Sequence, residues 1–206
     1  MKRLSATLLA AALAVAGPAH AEDAAPDHVF TEAPTDHATG AADAPNTLII
    51  YASNMCPHCG AWFNTEWPRL KAELVETDRL RVVFRPLPSA PMEVSMMAFV
   101  MAECAPEGDY FSVIEDQFAR QEAVLTKSRT GGLREEFGAM AKGAGLGDDA
   151  AIGECLNTVE HVDRIHRAGD RATAAGIRRI PAFILNGERL DGEQTAASLA
   201  ATLKAP

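Results

Sequence analysis

Long apolar runs are nearly absent from this chain of 206 residues. The one such run, residues 4–17, follows Lys2 and Arg3 and leads into the small-residue segment Ala-His-Ala. This is the pattern of a secretory signal peptide over residues 1–21, with cleavage expected before Glu22. A membrane-spanning helix needs about 20 apolar residues, and no later segment approaches that length. We therefore expect an exported, periplasmic protein without a permanent anchor.

Basic residues are also scarce. The chain has 19 Lys and Arg against 28 Asp and Glu, for a formal net charge of -9. The signal peptide carries two basic residues and no acidic one, so its removal leaves a charge of -11. A protein this acidic is not expected to bind nucleic acid or anionic lipid through its overall field. The remaining length, about 185 residues, suits one domain that carries an insertion.

Only four cysteines are present, at positions 56, 59, 104 and 155. An even number in an exported chain indicates two disulfides first. A structural zinc site needs four ligands at characteristic spacings, whereas Cys104 and Cys155 are each far from any second cysteine. His161 and His166 are five residues apart and do not share a helical face. We therefore predict no metal ligands, and no residue pattern calls for a cofactor.

Composition divides the remaining chain into four segments. Residues 22–45 contain almost no large apolar side chains and are expected to form a flexible leader with solvated histidines, His37 among them. Residues 46–88 predict strand, helix and strand, with Pro68 kinking the helix. Residues 89–160 predict short helices only. Residues 161–206 predict a helix, a hairpin turning at Asn186-Gly187 and a last helix. The order predicts an α/β core interrupted by an all-helical insertion.

The stretch "SNMCPHCGAWFN" places Cys56 and Cys59 three positions apart, where a predicted strand ends and a helix begins. A disulfide across so short a loop removes little entropy from the unfolded chain, which argues against a structural role. The first turn of a helix offers free N–H groups and a positive dipole end, which favour a thiolate at Cys56. Pro57 fits the first helical position because it lacks an N–H. His58 is the candidate for further stabilising the thiolate, and the pair is predicted to be redox-active.

The segment "YASNMCPHCGAWF" resembles the active site of DsbA-like thiol-disulfide oxidoreductases of the thioredoxin superfamily. The Pro-His dipeptide is typical of the oxidising members, and the resemblance extends from about residue 46 to residue 203. It implies a thioredoxin-like fold with an all-helical insertion domain, and catalytic roles for Cys56, Cys59 and His58.

A second stretch, "GIRRIPAFILNGERL", is similar to the family's cis-proline loop. The resemblance implies that Pro181 is the cis-proline facing the two cysteines and that Ile180 pairs with the substrate backbone, with Pro57 also contributing to substrate binding. The family often places a buried acid six residues before the first cysteine, where this chain has Ile50. That departure leaves the proton path at Cys59 in doubt.

Some relatives carry a second disulfide in the insertion, and the resemblance implies a Cys104–Cys155 bridge, structural or regulatory. Closing that loop would remove about 4 kcal/mol of unfolded-state entropy. The expected function is oxidation of reduced or unfolded exported client proteins by a monomer, with a DsbB-like membrane protein as reoxidant. Two alternatives remain open. One is a reductase or disulfide isomerase of the same fold. The other is a periplasmic copper-handling module that uses Cys56, Cys59 and nearby histidines or methionines.

Overall fold

A five-stranded mixed sheet forms the centre of the molecule. The computed structural model describes residues 27–203, so the expected signal peptide lies outside the described residues. The strands are β1 His37–Thr39, β2 Thr47–Ala52, β3 Arg81–Pro86, β4 Ala182–Leu185 and β5 Glu188–Leu190. Their order is β1-β3-β2-β4-β5, with β2 parallel to β3 and the other pairs antiparallel. The expected thioredoxin-like fold with an all-helical insertion is confirmed.

Alternate residues of the central strand β2 enter two apolar cores, one on each face of the sheet. Leu48 and Ile50 belong to the larger core, which includes the aromatic side chains of the helices. Ile49 and Tyr51 belong to the smaller core, which includes Ala172. Because successive side chains of a strand point to opposite faces, an unbroken apolar run is what a strand covered on both sides requires.

The helix after β2 is interrupted rather than kinked. Helix α1 Pro57–Thr65 is followed by α2 Trp67–Leu70 and then by one π-helical turn, Lys71–Val75. Pro68 has no N–H to donate to the carbonyl of Asn64, so the regular hydrogen-bond ladder fails at this point. The expected single helix is therefore three short segments.

Five helices lie between β3 and the long helix that precedes β4. They are α3 Met92–Glu103, α4 Tyr110–Ala119, α5 Gln121–Thr130, α6 Leu133–Gly143 and α7 Asp149–Leu156. The remaining helices are α8 Val159–Ala174 and α9 Ala196–Thr202. The insertion shares the larger core with the sheet domain, since Phe118 of α4 stacks on Phe63 of α1 at 4.0 Å between ring centroids. Within residues 27–203, no helix is long and apolar enough to cross a membrane.

The prediction of a flexible leader is wrong for the part that the structure describes, residues 27–45. Strand β1 extends the sheet along β3, and Glu32 accepts two hydrogen bonds from Arg81 at 2.6 and 2.7 Å. The guanidinium of Arg85 is fully buried and donates to Asp36 at 2.8 Å. Paired charges therefore hold this segment together with a few apolar contacts, such as that of Val29 with the smaller core. The buried charges are paired, as burial of a charge requires.

His37 is likewise not a solvated tail residue. Its ring stacks on Tyr110 with centroids 3.7 Å apart, and its Nε2 lies 2.9 Å from Oε2 of Glu103. The leader histidine thus reaches the insertion domain.

Candidate active site

Cys56 occupies the N-cap of α1, directly after the turn that follows β2. Its N–H donates to the carbonyl of Ser53 at 3.1 Å, and its own carbonyl accepts from the N–H of Gly60 at 3.0 Å. Pro57 lies at the first helical position, as its missing N–H allows. The Cys56 side chain is half-buried, Cys59 is completely buried, and both thiols are free in the structure. An approaching thiol therefore meets Cys56 first.

The environment of Cys59 disfavours its thiolate. Burial raises the pKa of the Cys59 thiol well above its ordinary value, and the neighbouring Cys56 raises the pKa further. The N–H of Ser53, which donates to the Cys59 sulfur at 3.5 Å, opposes this increase without cancelling it. Cys59 is accordingly a protonated thiol at neutral pH in the reduced protein.

The loop before β4 faces Cys56. The Ile180–Pro181 peptide bond is cis, in agreement with the expectation from the resemblance. The Sγ of Cys56 lies 3.9 Å from the carbonyl oxygen of Ile180. Cys56 at the N-cap of α1 therefore faces the loop that carries Ile180, the substrate-binding candidate, and Pro181, the cis-proline.

An open groove of about 1010 Å³ runs alongside this junction. Its lining includes His58 and Trp62 from α1, and Arg178, Ile180 and Pro181 from the loop before β4. His58 and Pro57 are both exposed, and His58 lines the groove. The groove thus borders the Ile180 carbonyl that faces the Cys56 sulfur.

A cluster of buried polar side chains hydrogen-bonds to the turn that leads into Cys56, and the sequence did not reveal it. The side-chain amide of Gln121, on α5, donates to the carbonyls of Asn54 and Cys56 at 2.8 and 3.0 Å. Asn54 in turn donates to Gln117 at 3.0 Å and accepts from the hydroxyl of Ser95 at 2.6 Å. Nothing in the local sequence marks these amides, because their partners lie in distant segments.

Gly60 is needed for the close approach of this cluster. A Cβ at that position would overlap the Gln121 side-chain amide, which is held in place by its two hydrogen bonds. The insertion domain and α1 are therefore in contact immediately beside the cysteines.

Ile50, where the resemblance led us to look for an acid, is fully buried. In the sheet it lies between Phe84 of β3 and Phe183 of β4. The polar groups beside Cys59 come instead from Ser53, whose hydroxyl is 2.7 Å from that of Ser89.

The other two cysteines form the expected bridge. Cys104, at the end of α3, is bonded to Cys155 of α7 across a sequence separation of 51 residues, with Cα atoms 5.9 Å apart. The Nε2 of His161 is 3.3 Å from the sulfur of Cys155, whereas His166 is exposed on the same helix. The sequence spacing of His161 and His166 gives no sign of the contact between His161 and Cys155.

The methionines of α3 do not form one cluster. Met101 is buried, while Met92 and Met97 are about half exposed, at 54% and 46%. Met101 therefore fills space in the buried core, and the two exposed side chains do not.

A Cys-X-X-Cys pair at the start of a helix, facing a cis-proline across the end of a mixed sheet, defines a thioredoxin-fold protein. The helices inserted after β3 give it the DsbA-like form of that fold. A family model described as thioredoxin matches residues 32–205, and the chain belongs to this family.

The chain is also similar to part of some larger curated proteins. Over 170 residues the chain is 30% identical to a Na(+)/H(+) antiporter NhaA of Herminiimonas arsenicoxydans, covering 82% of this chain and 25% of the antiporter. The chain thus spans about a quarter of the length of the first curated relatives it matches.

Two solved structures show the fold. The alpha-DsbA1 of Wolbachia pipientis superposes with a TM-score of 0.75 at 20% identity, covering 85% of this chain and 92% of that one. BdbD of Bacillus subtilis gives a TM-score of 0.65 at 17% identity, with coverages of 80% and 89%.

Proposed function

We propose that the protein is an exported thiol-disulfide oxidoreductase that donates a Cys56–Cys59 disulfide to reduced client proteins. The observation that carries this proposal is the unequal placement of the two sulfurs. Cys56 is reachable at the helix start beside an open groove, and Cys59 is sealed beneath it. A metal clip or a plain crosslink does not require that difference, whereas stepwise thiol exchange does.

In the first step, a client thiolate attacks the sulfur of Cys56 in the oxidised pair. The Cys56–Cys59 bond breaks, its electron pair leaves on the Cys59 sulfur, and a mixed disulfide forms between the client and Cys56. The N–H of Ser53 stabilises the departing sulfur. Because burial raises the pKa of Cys59, that sulfur then takes up a proton and becomes a thiol.

In the second step, another client thiolate attacks the client sulfur of the mixed disulfide. The client disulfide forms, and Cys56 leaves as a thiolate. The protonated state of Cys59 slows its return attack on Cys56, because the thiolate is the nucleophile in this exchange. The intermediate is therefore resolved by the client in preference to Cys59, which is the direction of an oxidase.

The Cys56 leaving group is stabilised by the free N–H groups and dipole of the α1 N-terminus, with His58 as a nearby donor. Stabilising the thiolate favours the reduced form and makes the disulfide a stronger oxidant. Ile180 and Pro181 border the groove at 3.9 Å from Cys56 to the Ile180 carbonyl, a position suited to aligning an extended client chain.

Export to the periplasm follows from the signal peptide pattern at residues 1–21. There the reduced pair would be reoxidised by a DsbB-like membrane partner, and the protein would act as a monomer.

The proposal is tested by mixing the oxidised protein with a reduced peptide that contains two cysteines and following both by mass spectrometry. One equivalent of peptide disulfide should form as Cys56 and Cys59 become reduced. In a Cys59→Ser variant, the reduced protein mixed with a pre-oxidised peptide should retain the peptide on Cys56. Failure of the oxidised protein to transfer its disulfide would contradict the proposal.

Measuring the redox equilibrium of the pair against glutathione separates the alternatives. A potential near that of thioredoxin, about −270 mV, would assign the protein as a reductase, whereas DsbA-type oxidants lie near −120 mV. Stoichiometric copper binding that blocks thiol exchange at Cys56 would instead indicate the metal-handling module.

A further inference from the structure

Three metal-binding side chains meet where α3, α7 and α8 come together. Cys104 ends α3, Cys155 lies in α7, and His161 lies in the first turns of α8. Their ligand atoms, two sulfurs and one imidazole nitrogen, all lie within 4.8 Å of one another. Because Cys104 is distant in sequence from the other two residues, only folding brings the three together.

One edge of this cluster fits a tetrahedral zinc ion. With zinc–sulfur and zinc–nitrogen distances of about 2.3 and 2.05 Å, the tetrahedral sulfur–nitrogen edge is about 3.5 Å. The Cys155 sulfur is 3.3 Å from Nε2 of His161, so that edge is nearly formed. Zinc binds thiolates, and in this structure the two sulfurs are bonded to each other. The site can therefore form only after the disulfide is reduced.

The buried carboxylate of Glu103 lies near the second ring nitrogen of His161. Oε2 of Glu103 is 3.8 Å from Nδ1 of His161, and the Glu103 side chain is only 2% exposed. Zinc-bound histidines commonly present their second nitrogen to a carboxylate, which orients the ring. Neither Oε1 of Glu103 nor Nδ1 of His161 has a hydrogen-bond partner among the described residues. The pair is thus arranged to direct Nε2 toward the sulfurs.

The local charges also suit a divalent ion. Glu103 is paired with Arg164, whose Nε is 3.0 Å from its Oε2, and His37 contacts the same oxygen at 2.9 Å. A zinc ion with two thiolates adds no net charge to this buried pair. Two thiolates without a metal would add two negative charges beside Glu103, which is unfavourable in a buried setting.

We propose that reduction of the Cys104–Cys155 disulfide converts this cluster into a zinc site. A dithiol reductant supplies two electrons and two protons, becoming a disulfide itself, and leaves two free thiols on the protein. Zn²⁺ then displaces both thiol protons and binds Sγ of Cys104, Sγ of Cys155 and Nε2 of His161, with water in the fourth position. The metal replaces the lost covalent link between α3 and α7 and ties α8 to both.

The experiment uses the full chain with Cys56→Ser and Cys59→Ser, so that only the second pair supplies thiols. After anaerobic reduction and removal of the reductant, we expect one equivalent of Zn²⁺ to bind and the midpoint of thermal unfolding to rise. Co²⁺ should give the absorption bands of a tetrahedral thiolate site. The oxidised form of the same variant should bind neither ion at this site.

His161→Gln keeps the disulfide and tests the third ligand. It should weaken Zn²⁺ binding by the reduced protein at least about tenfold, as should Glu103→Gln through the orientation of the ring. His166→Gln, five residues along on an exposed surface, is the matched control and should change nothing. The proposal is overturned if the reduced protein binds no zinc, if His161→Gln binds as tightly as its parent, or if a protein unfolded by reduction is not refolded by zinc.

Discussion

The two cysteine pairs of this molecule have the same chemistry but differ in sequence separation and in bonding. Cys56 and Cys59 are three residues apart at the start of one helix, one half-buried and the other sealed, and both are free thiols. Cys104 and Cys155 join two helices across 51 residues and are bonded. In the chain-entropy description, only the second pair closes a loop long enough for its bond to contribute greatly to stability.

The difference shows that loop length and burial determine which cysteine pair reacts and which pair stabilises the fold. A bond that restrains little of the unfolded chain can be exchanged without loss of the fold. A bond that restrains a long loop is kept because breaking it destabilises the domain. The first pair therefore suits reaction, and the second suits support of the helical insertion that contacts the active-site turn.

The largest expected effect comes from removing the reachable sulfur. Cys56→Ser should lower the rate of disulfide transfer to a dithiol peptide roughly a thousandfold or more, because without Cys56 no Cys56–Cys59 disulfide can form for the client thiolate to attack. Quenched-flow mass spectrometry of the peptide measures the rate. Full transfer by Cys56→Ser would show that another cysteine carries the reaction.

Removing the Cys104–Cys155 disulfide should lower the free energy of unfolding and leave disulfide transfer by Cys56 and Cys59 in place. The double variant Cys104→Ala/Cys155→Ala should lose about 4 kcal/mol of unfolding free energy, from the loop of about 50 residues that it opens. Urea denaturation of the oxidised proteins measures the loss. At temperatures where the variant is folded, its transfer rate should stay within a few-fold of the parent. A comparable loss of rate would instead assign the second pair to the reaction.

The link between the two regions can be tested at Gln121. Gln121→Ala leaves the buried carbonyls of Asn54 and Cys56 without their donor, and this should reduce the unfolding free energy by about 1–3 kcal/mol. Glu122→Ala changes the exposed neighbour on the same helix and is the control. Equal stability of the two variants in urea would show that the insertion does not support the cysteine turn through this amide.

The last effect is the part of the pH dependence of stability that Cys59 of the first pair contributes. Burial raises the pKa of Cys59 in the folded reduced protein, so its stabilising contribution is complete below the ordinary thiol pKa and is lost as pH rises. From about pH 8.5 upward, the unfolded chain releases this proton first, and stability should fall by up to about 1.4 kcal/mol per pH unit.

The reduced Cys59→Ala variant lacks this thiol. Comparing it with the parent isolates the contribution of Cys59 to the pH dependence of stability. Urea denaturation at several pH values between neutral and alkaline provides the comparison. Parallel stability curves for the two proteins would contradict the assignment of a protonated, buried Cys59.

Much of the fold follows from local patterns. The unbroken β-branched and aromatic run at β2 predicts a strand buried on both faces, and Asn186-Gly187 predicts the hairpin of β4 and β5. The Cys-X-X-Cys pair at a strand-to-helix junction predicts the position of the reactive sulfur. Each of these signals depends on a few neighbouring residues, which is why sequence reveals them.

The features that sequence missed depend on distant partners. Composition marked residues 27–45 as unable to bury apolar surface, yet the segment is held by Arg81 and Arg85, which follow about 50 residues later. Gln121 and His161 look like ordinary helix residues until folding places them beside Cys56 and Cys155. Polar contacts of this kind leave no period or spacing in the chain.

The claim that one cysteine pair reacts and the other stabilises the fold is tested most directly by a glutathione titration of the full chain. The redox state of both pairs is read in each sample by mass spectrometry. We expect the Cys56–Cys59 pair to be reduced under mildly reducing conditions in which Cys104–Cys155 stays bonded. Reduction of both pairs at the same glutathione ratio, or of Cys104–Cys155 first, would contradict the account.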